Sequence, residues 1–161
     1  MQRLQFWRYD NDAIRALIGA NAHLAESGLE PSLLDLVSLR VSQLNGCGEC
    51  VDARVRAAIE HGLEQRQIDA LATWRDASFF TEQQRAALAW ADAVTEVAKG
   101  GVSDEVYREA ASHFSEAEFV DLTLAVALMN AFARVAVAFQ HGPPPVPAPS
   151  KGAILLHQGG V

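Results

Sequence analysis

Residues 35–62 read DLVSLRVSQLNGCGECVDARVRAAIEHG. Up to the break at Asn45-Gly46, apolar residues recur at helical spacing and form one stripe from Leu33 to Leu44. We expect one helix to begin after Pro31, a favourable first-turn residue, and to end at this break. A second helix is expected from around residue 47 to near residue 62. The stretch therefore predicts two consecutive helices, the second of which begins with two cysteines.

The only two cysteines of the chain, Cys47 and Cys50, are three residues apart. Residues at this spacing lie on one face of a helix, so the two sulfurs can meet and form a disulfide. With Asn45 as the N-cap, both cysteines would lie in the first turns, where the helix dipole favours thiolate over thiol. Glu49 between them opposes this effect by like-charge repulsion unless its carboxylate points to solvent. We interpret the pair as a redox pair rather than as two buried apolar residues or a zinc site, since zinc usually needs four ligands.

Helical periodicity also dominates the rest of the chain, and no run of alternating β-branched residues competes with it. Thr81 with Gln84, and Ser115 with Glu118, match the capping-box pattern of a helix start. Together with the two helices above, these patterns predict about six or seven helices, the others lying at about 11–26, 64–74, 81–99, 103–113 and from 115 onward. The fold class is therefore all-α, a single-domain helical bundle.

The last predicted helix has two apolar stripes, one from Phe119 to Met129 and one from Leu124 to Phe139. A helix that is apolar on most of its circumference is buried on most of it, so we expect the second stripe to contact another subunit of a homo-oligomer. Residues 1–141 are predicted to form the helical domain, and residues 142–161 an extended, proline-rich C-terminal tail. The tail is either loose or an arm whose residues 154–156 (Ile-Leu-Leu) dock on a neighbour.

Composition excludes several classes of function. The chain has 161 residues, of which 50% are hydrophobic and 20% are charged, and its net charge is −7. This charge argues against binding to nucleic acid or to anionic membranes, which require clustered Lys and Arg. The most apolar stretch, Leu124 to Phe139, is shorter than a membrane span, and the N-terminus has no apolar secretion signal. We therefore expect a cytoplasmic protein.

Three segments carry a family resemblance: residues 35–62, residues 71–95 (LATWRDASFFTEQQRAALAWADAVT) and residues 113–139 (HFSEAEFVDLTLAVALMNAFARVAVAF). They resemble the alkylhydroperoxidase D-like (AhpD-like) / carboxymuconolactone decarboxylase superfamily, in particular its peroxidase-related branch. The similarity covers most of the chain from the first helix to Phe139. It implies an AhpD-like all-α fold, assembly as a trimer or hexamer, and thiol-based peroxide reduction without a cofactor or metal.

The resemblance also implies roles for individual residues. The second cysteine of the family pattern, here Cys50, is oxidised by peroxide to a sulfenic acid. The first, here Cys47, condenses with it to a disulfide, which an external thiol reduces. The pattern has a Glu twelve residues before the first cysteine and a His four residues after the second; this chain has Asp35 and Arg54 there.

The exchange at position 35 keeps a carboxylate, whereas the exchange at position 54 removes a base. A guanidinium is protonated at any accessible pH, so Arg54 can stabilise a thiolate but cannot accept its proton. Arg54 can also pair with Asp35 across adjoining helices, and the two readings are compatible. None of the histidines is an obvious substitute; His61 lies eleven residues from Cys50, about 16 Å along a helix axis.

These observations predict a thiol-dependent peroxidase or disulfide oxidoreductase acting on small hydroperoxides. Its expected partners are the hydroperoxide, a reductant that is a thiol protein or a small thiol, and further copies of itself. A first alternative is a degenerate relative, redox-responsive or purely structural, that has lost its proton relay at Arg54. A second is a lactone decarboxylase, against which the cysteine pair argues because decarboxylation needs no vicinal thiols.

Overall fold

The computed structural model describes residues 2–9 and 11–143, and in these ranges the chain forms helices and no strand. The seven α-helices are α1 (Asp12–Ala25), α2 (Pro31–Leu44), α3 (Gly48–Glu60), α4 (Gln65–Ala70), α5 (Glu82–Thr95), α6 (Asp104–His113) and α7 (Glu116–Ala138). Short 3-10 turns cover Phe6–Arg8, Leu71–Thr73 and Val97–Lys99. The predicted all-α bundle is thus confirmed. The predicted tail lies, beyond residue 143, outside the described residues, and so does the docking of residues 154–156.

Helix α2 lies at the centre of the bundle and packs against α3, α5 and α7. Its residues Val37 and Val41 belong to a core shared with α5, α6 and α7, whereas Leu36 and Leu39 belong to a second core shared with α3 and α4. All four are fully buried. Burial of one such side chain contributes about 1.5–3 kcal/mol to the stability of the fold. Because α2 buries side chains in both cores, it joins the two halves of the bundle.

Helix α7 divides its apolar surface between the core and the exterior. Leu122, Val126 and Met129 are buried in the core, as the first stripe predicts. On the second stripe, Leu128 is covered by Leu24 of α1, whereas Leu124 remains 51% exposed. Only part of the second stripe is therefore open to another subunit, and the oligomer stays a prediction.

By length and composition alone, α7 could cross a membrane, since its most apolar 18-residue window has a mean hydropathy of 1.6. That window is longer than the stretch Leu124 to Phe139 considered from the sequence. It is weak evidence for a span, because the core helix of a soluble bundle has the same composition. In this structure α7 packs against α1, α2 and α5.

Two local predictions of helix starts are confirmed. Thr81 and Gln84 form a capping box at the start of α5, and Ser115 and Glu118 form one at the start of α7. At α7 the Glu118 carboxylate accepts hydrogen bonds from the backbone N–H and the hydroxyl of Ser115, both at 2.8 Å. These two bonds hold the pKa of Glu118 below its usual value of 4.5, the backbone bond being the larger cause.

The Glu118→Gln variant is expected to melt at a lower temperature than the wild type at neutral pH. The folded-state pKa of Glu118 is depressed, so its contribution to stability is present above the unfolded value and is lost as pH falls through the folded value. Thermal melts of both proteins from neutral pH to about pH 3 should therefore converge in acid. The matched control is Glu116→Gln, in the same first turn but outside the capping box; an equal pH-dependent loss in that variant would contradict the assignment.

Candidate functional site

The two cysteines lie at the start of α3, where they form a disulfide. Their Cα atoms are 5.3 Å apart. Cys47 is the N-cap of the helix, and its Sγ accepts a hydrogen bond from the backbone N–H of Cys50 at 3.3 Å. The two sulfurs therefore meet on one face of the helix, as their spacing predicts.

The predicted N-cap of α3 was wrong. Asn45 is not the N-cap; it ends α2 and donates hydrogen bonds from its side-chain amide to the Val41 carbonyl at 2.9 Å and to the Asn130 side chain of α7 at 2.8 Å. Gly46, with a φ of +64°, then turns the chain in the left-handed region. The side chain of Asn45 thus holds the turn against α7, and Cys47 rather than Asn45 is the N-cap of α3.

A cavity of about 290 Å³ lies beside Cys50. Cys50 lines it, whereas Cys47, only 1% exposed, does not. Its walls are largely apolar side chains of α1, α3 and α7, namely Ile18, Ala53, Met129, Phe132 and Ala136. Its polar lining residues are Asn21, Glu49, Arg54 and His141. One sulfur of the pair is therefore open to a small molecule, and the other is sealed behind it.

Asp35 and Arg54 meet further along α3, at a second cavity of about 210 Å³. Asp35 is buried, and its Oδ1 lies 3.8 Å from Nη1 of Arg54, which is an ion pair between α2 and α3. Its other oxygen, Oδ2, lies 2.5 Å from Nδ1 of His61. The pairing of Arg54 with Asp35, one of the two readings of the sequence, is present, and His61 joins it.

Sequence reasoning missed His61 because it measured the distance from Cys50 along a single helix. Helices α2 and α3 form an antiparallel hairpin, so the beginning of α2 lies beside the end of α3. His61 follows the last turn of α3 and therefore meets Asp35 in the second turn of α2. The short Asn45-Gly46 break between the two predicted helices was the signal that could have found this contact.

The two cavities share Asn21, Arg54 and Met129 in their linings. Arg54 therefore lies between Cys50 on one side and the Asp35–His61 pair on the other. Asp35 and His61 do not line the cysteine cavity, and Cys50 does not line theirs. Of the four residues predicted from the sequence, Cys47, Cys50 and Arg54 come together at the start of α3, and Asp35 reaches them only through Arg54.

His141 lines the cysteine cavity from the segment that follows α7. Its Nδ1 lies 2.9 Å from the side-chain nitrogen of Gln2, and the ring of Phe6 contacts it edge-on with centroids 5.6 Å apart. No local pattern pointed to His141, because its place beside the cavity depends on the packing of Gln2 and Phe6 against the segment that follows α7. Glu49, whose orientation the sequence left open, also lines the cavity.

No group of three or more His, Cys, Asp or Glu side chains within residues 2–9 and 11–143 is arranged to hold a metal ion. Trp74 and Trp90 are buried in the two cores and take no part in the site.

Known proteins resemble this chain in sequence and in fold. The model of the carboxymuconolactone decarboxylase family matches residues 12–93. The uncharacterized protein YdfG of Bacillus subtilis is 26% identical over 85% of this chain and 93% of its own length. ATU0492 of Agrobacterium tumefaciens, a protein of unknown function with the suggested name antioxidant defence protein AhpD, is 34% identical, with a TM-score of 0.87 over 91% of this chain and all of its own.

A further solved structure, that of the debrominase Bmp8, has a TM-score of 0.74 at 20% identity and covers 83% of this chain and 72% of its own. At this level of identity the similarity establishes a shared fold. The AhpD-like fold predicted from the sequence is thus confirmed by these relatives.

Replacing Arg54 with Met is expected to slow the alkylation of reduced Cys50 by iodoacetamide at neutral pH, by about 3- to 10-fold. The reason is that a cation in the same cavity favours thiolate over thiol by an amount of this order. The matched control is Arg56→Met, since Arg56 lies on the same helix but pairs with Asp52 outside the cavity. Equal alkylation rates in the Arg54 variant and the wild type would show that Arg54 has no influence on the sulfur.

Proposed function

The chain belongs to the carboxymuconolactone decarboxylase family, and we propose that it is a thiol-dependent peroxidase that uses Cys47 and Cys50 to reduce small hydroperoxides. One observation carries the proposal: Cys50 lines an apolar cavity while it is bonded to a sealed Cys47. A redox pair needs one sulfur that the substrate reaches and a second sulfur that closes the disulfide. The suggested antioxidant name of ATU0492 agrees with this chemistry.

The reaction has two steps. The Cys50 thiolate attacks the terminal oxygen of the hydroperoxide; the S–O bond forms, the O–O bond breaks, and the alkoxide leaves as an alcohol after taking one proton. Cys47 then attacks the sulfenic acid of Cys50, the S–S bond forms, and water leaves. The two thiols supply the two electrons. An external thiol, from a protein or a small molecule, attacks the accessible sulfur and forms a mixed disulfide, and a second external thiol then resolves it, which restores both electrons.

The surrounding residues have supporting roles. Arg54 stabilises the Cys50 thiolate and the negative charge that develops on the leaving oxygen. Asp35, held by His61, keeps the guanidinium of Arg54 at the wall between the two cavities. The apolar lining beside Cys50 suits a hydroperoxide that carries an alkyl group better than one that has no apolar part. We further propose a cytoplasmic homo-oligomer, a trimer or a hexamer, as the assembled form.

The reduced protein is expected to lose two thiols per chain when it is mixed with one equivalent of an alkyl hydroperoxide. Thiol titration measures the loss, and the mass of the peptide that contains both cysteines shows the disulfide. The Cys47→Ala variant should stop at a sulfenic acid that dimedone traps, because the resolving thiol is missing. The Cys50→Ala variant should keep its remaining thiol.

The proposed peroxidase would be refuted by a wild-type pair that stays reduced under these conditions. Oxidation that proceeds equally well in the Cys50→Ala variant would refute the assignment of roles instead. The Cys50→Ala variant retains the side-chain cap of α3, whereas Cys47→Ala removes the Sγ that accepts a hydrogen bond from the N–H of Cys50, so circular dichroism checks that this variant is folded.

A second candidate function is favoured by the ion pair between Arg54 and Asp35. In a redox-responsive relative that has lost its proton relay, oxidation of the cysteine pair is slow. The change between dithiol and disulfide is then itself the signal that the protein gives. Arg54→His tests this reading, because it returns a base to the position four residues after Cys50. A rise of about 10-fold or more in peroxide turnover supports the degenerate relative; a fast wild type that the substitution does not accelerate supports the peroxidase.

A further inference from the structure

Glu49 has an unusual environment for a carboxylate. It lies between the two cysteines in the first turn of α3, and it is one of the residues that line the cavity of Cys50. Its Oε2 is shielded from solvent and accepts no hydrogen bond from any residue in the described part of the chain. A buried carboxylate oxygen without a donor is costly, so native structures rarely retain one without a reason.

The walls of the cavity contain few groups that could donate a hydrogen bond to Oε2 of Glu49. Helices α1 and α7 contribute Ile18, Asn21, Met129, Phe132 and Ala136, none of which titrates. The charged or titratable groups that line the same cavity are Arg54 on α3 and His141 after α7, and neither donates a hydrogen bond to Oε2 of Glu49. The oxidised cysteine pair provides no hydrogen-bond donor either, because a disulfide has no S–H group. Reduction of the pair creates an S–H donor on Cys50, the residue adjacent to Glu49.

We propose that Glu49 carries the proton in the oxidation of Cys50: its carboxylate takes the proton of the Cys50 thiol and gives it to the alkoxide released from the hydroperoxide. This inference rests on the proposed peroxidase function. It places proton transfer on a residue to which sequence reasoning gave only a repulsive effect. Glu49 would also provide the proton acceptor that is missing at position 54, because Arg54 cannot accept a proton.

The proton balance closes without a further group. The Cys50 thiol gives its proton to the Glu49 carboxylate, which leaves a thiolate and a carboxylic acid in the cavity. The thiolate attacks the terminal oxygen of ROOH, so that the S–O bond forms, the O–O bond breaks, and that oxygen keeps its hydrogen in the sulfenic acid. The carboxylic acid then protonates RO⁻ to ROH, and Glu49 returns to its ionised form.

Glu49→Gln separates this role from simple repulsion. The isosteric amide removes the negative charge, so the thiolate fraction of reduced Cys50 at neutral pH, read from ultraviolet thiolate absorbance, should rise. The rate constant for oxidation by an alkyl hydroperoxide, divided by that fraction, should nevertheless fall about 10- to 100-fold, because the proton carrier is missing. Repulsion alone would raise the thiolate fraction and the observed rate together.

The matched control is Asp52→Asn. It removes one negative charge from the same helix, but Asp52 is paired with Arg56 and does not line the cavity. Its rate should equal that of the wild type. Glu49→Ala is the second variant and should repeat the loss without an amide dipole in the cavity.

Two outcomes would overturn the inference. A wild type that is oxidised rapidly, with Glu49→Gln equally fast or faster per thiolate, removes Glu49 from the reaction and leaves the peroxidase standing. A wild type that hydroperoxide does not oxidise refutes the peroxidase, and the proton role of Glu49 with it.

Discussion

The hairpin of α2 and α3 is fixed at both of its ends, and the candidate site depends on that. At the closed end, the disulfide and the Asn45–Asn130 hydrogen bond hold the turn against α7. At the open end, the buried Asp35 on α2 binds His61 and pairs with Arg54, both from α3. A carboxylate with so little exposure is retained only when such partners compensate its desolvation. The orientation of α3, and with it the direction in which Cys50 faces, follows from these two attachments.

The parts of this structure that the sequence predicted are those encoded locally. The capping boxes at Thr81 and Ser115 need only residues three positions apart, and the meeting of the two sulfurs needs only one helical turn. The parts that it did not predict depend on tertiary neighbours. Asn45 was expected to cap α3 but is engaged by Asn130, which lies 85 residues further along the chain.

The two histidines at the site illustrate the same limit. His61 could have been found by packing the two predicted helices against each other in antiparallel orientation, because its partner Asp35 lies on the adjoining helix. His141 could not, since its place in the cavity depends on Gln2 and Phe6 at the opposite end of the chain. The orientation of Glu49 was also undetermined, because one backbone position permits a carboxylate to face either water or the cavity.

The exchange of histidine for arginine at position 54 changes the electrostatics of the site more than its shape. Arg54 makes no hydrogen bond to Asp35 and holds it only by an ion pair at 3.8 Å, so its charge acts on both cavities. In an apolar cavity few water molecules screen a charge, and each ionised group therefore has a larger effect on its neighbours than it would have in water. A permanent cation beside Cys50 favours the thiolate but cannot itself take the proton of the thiol. Of the carboxylates at the site, Asp35 is already engaged by His61 and Arg54, whereas Glu49 presents an oxygen without a donor. Electrostatic stabilisation and proton transfer, which one histidine can combine, are thus divided here between a guanidinium and a carboxylate on the same turn-and-a-half of α3.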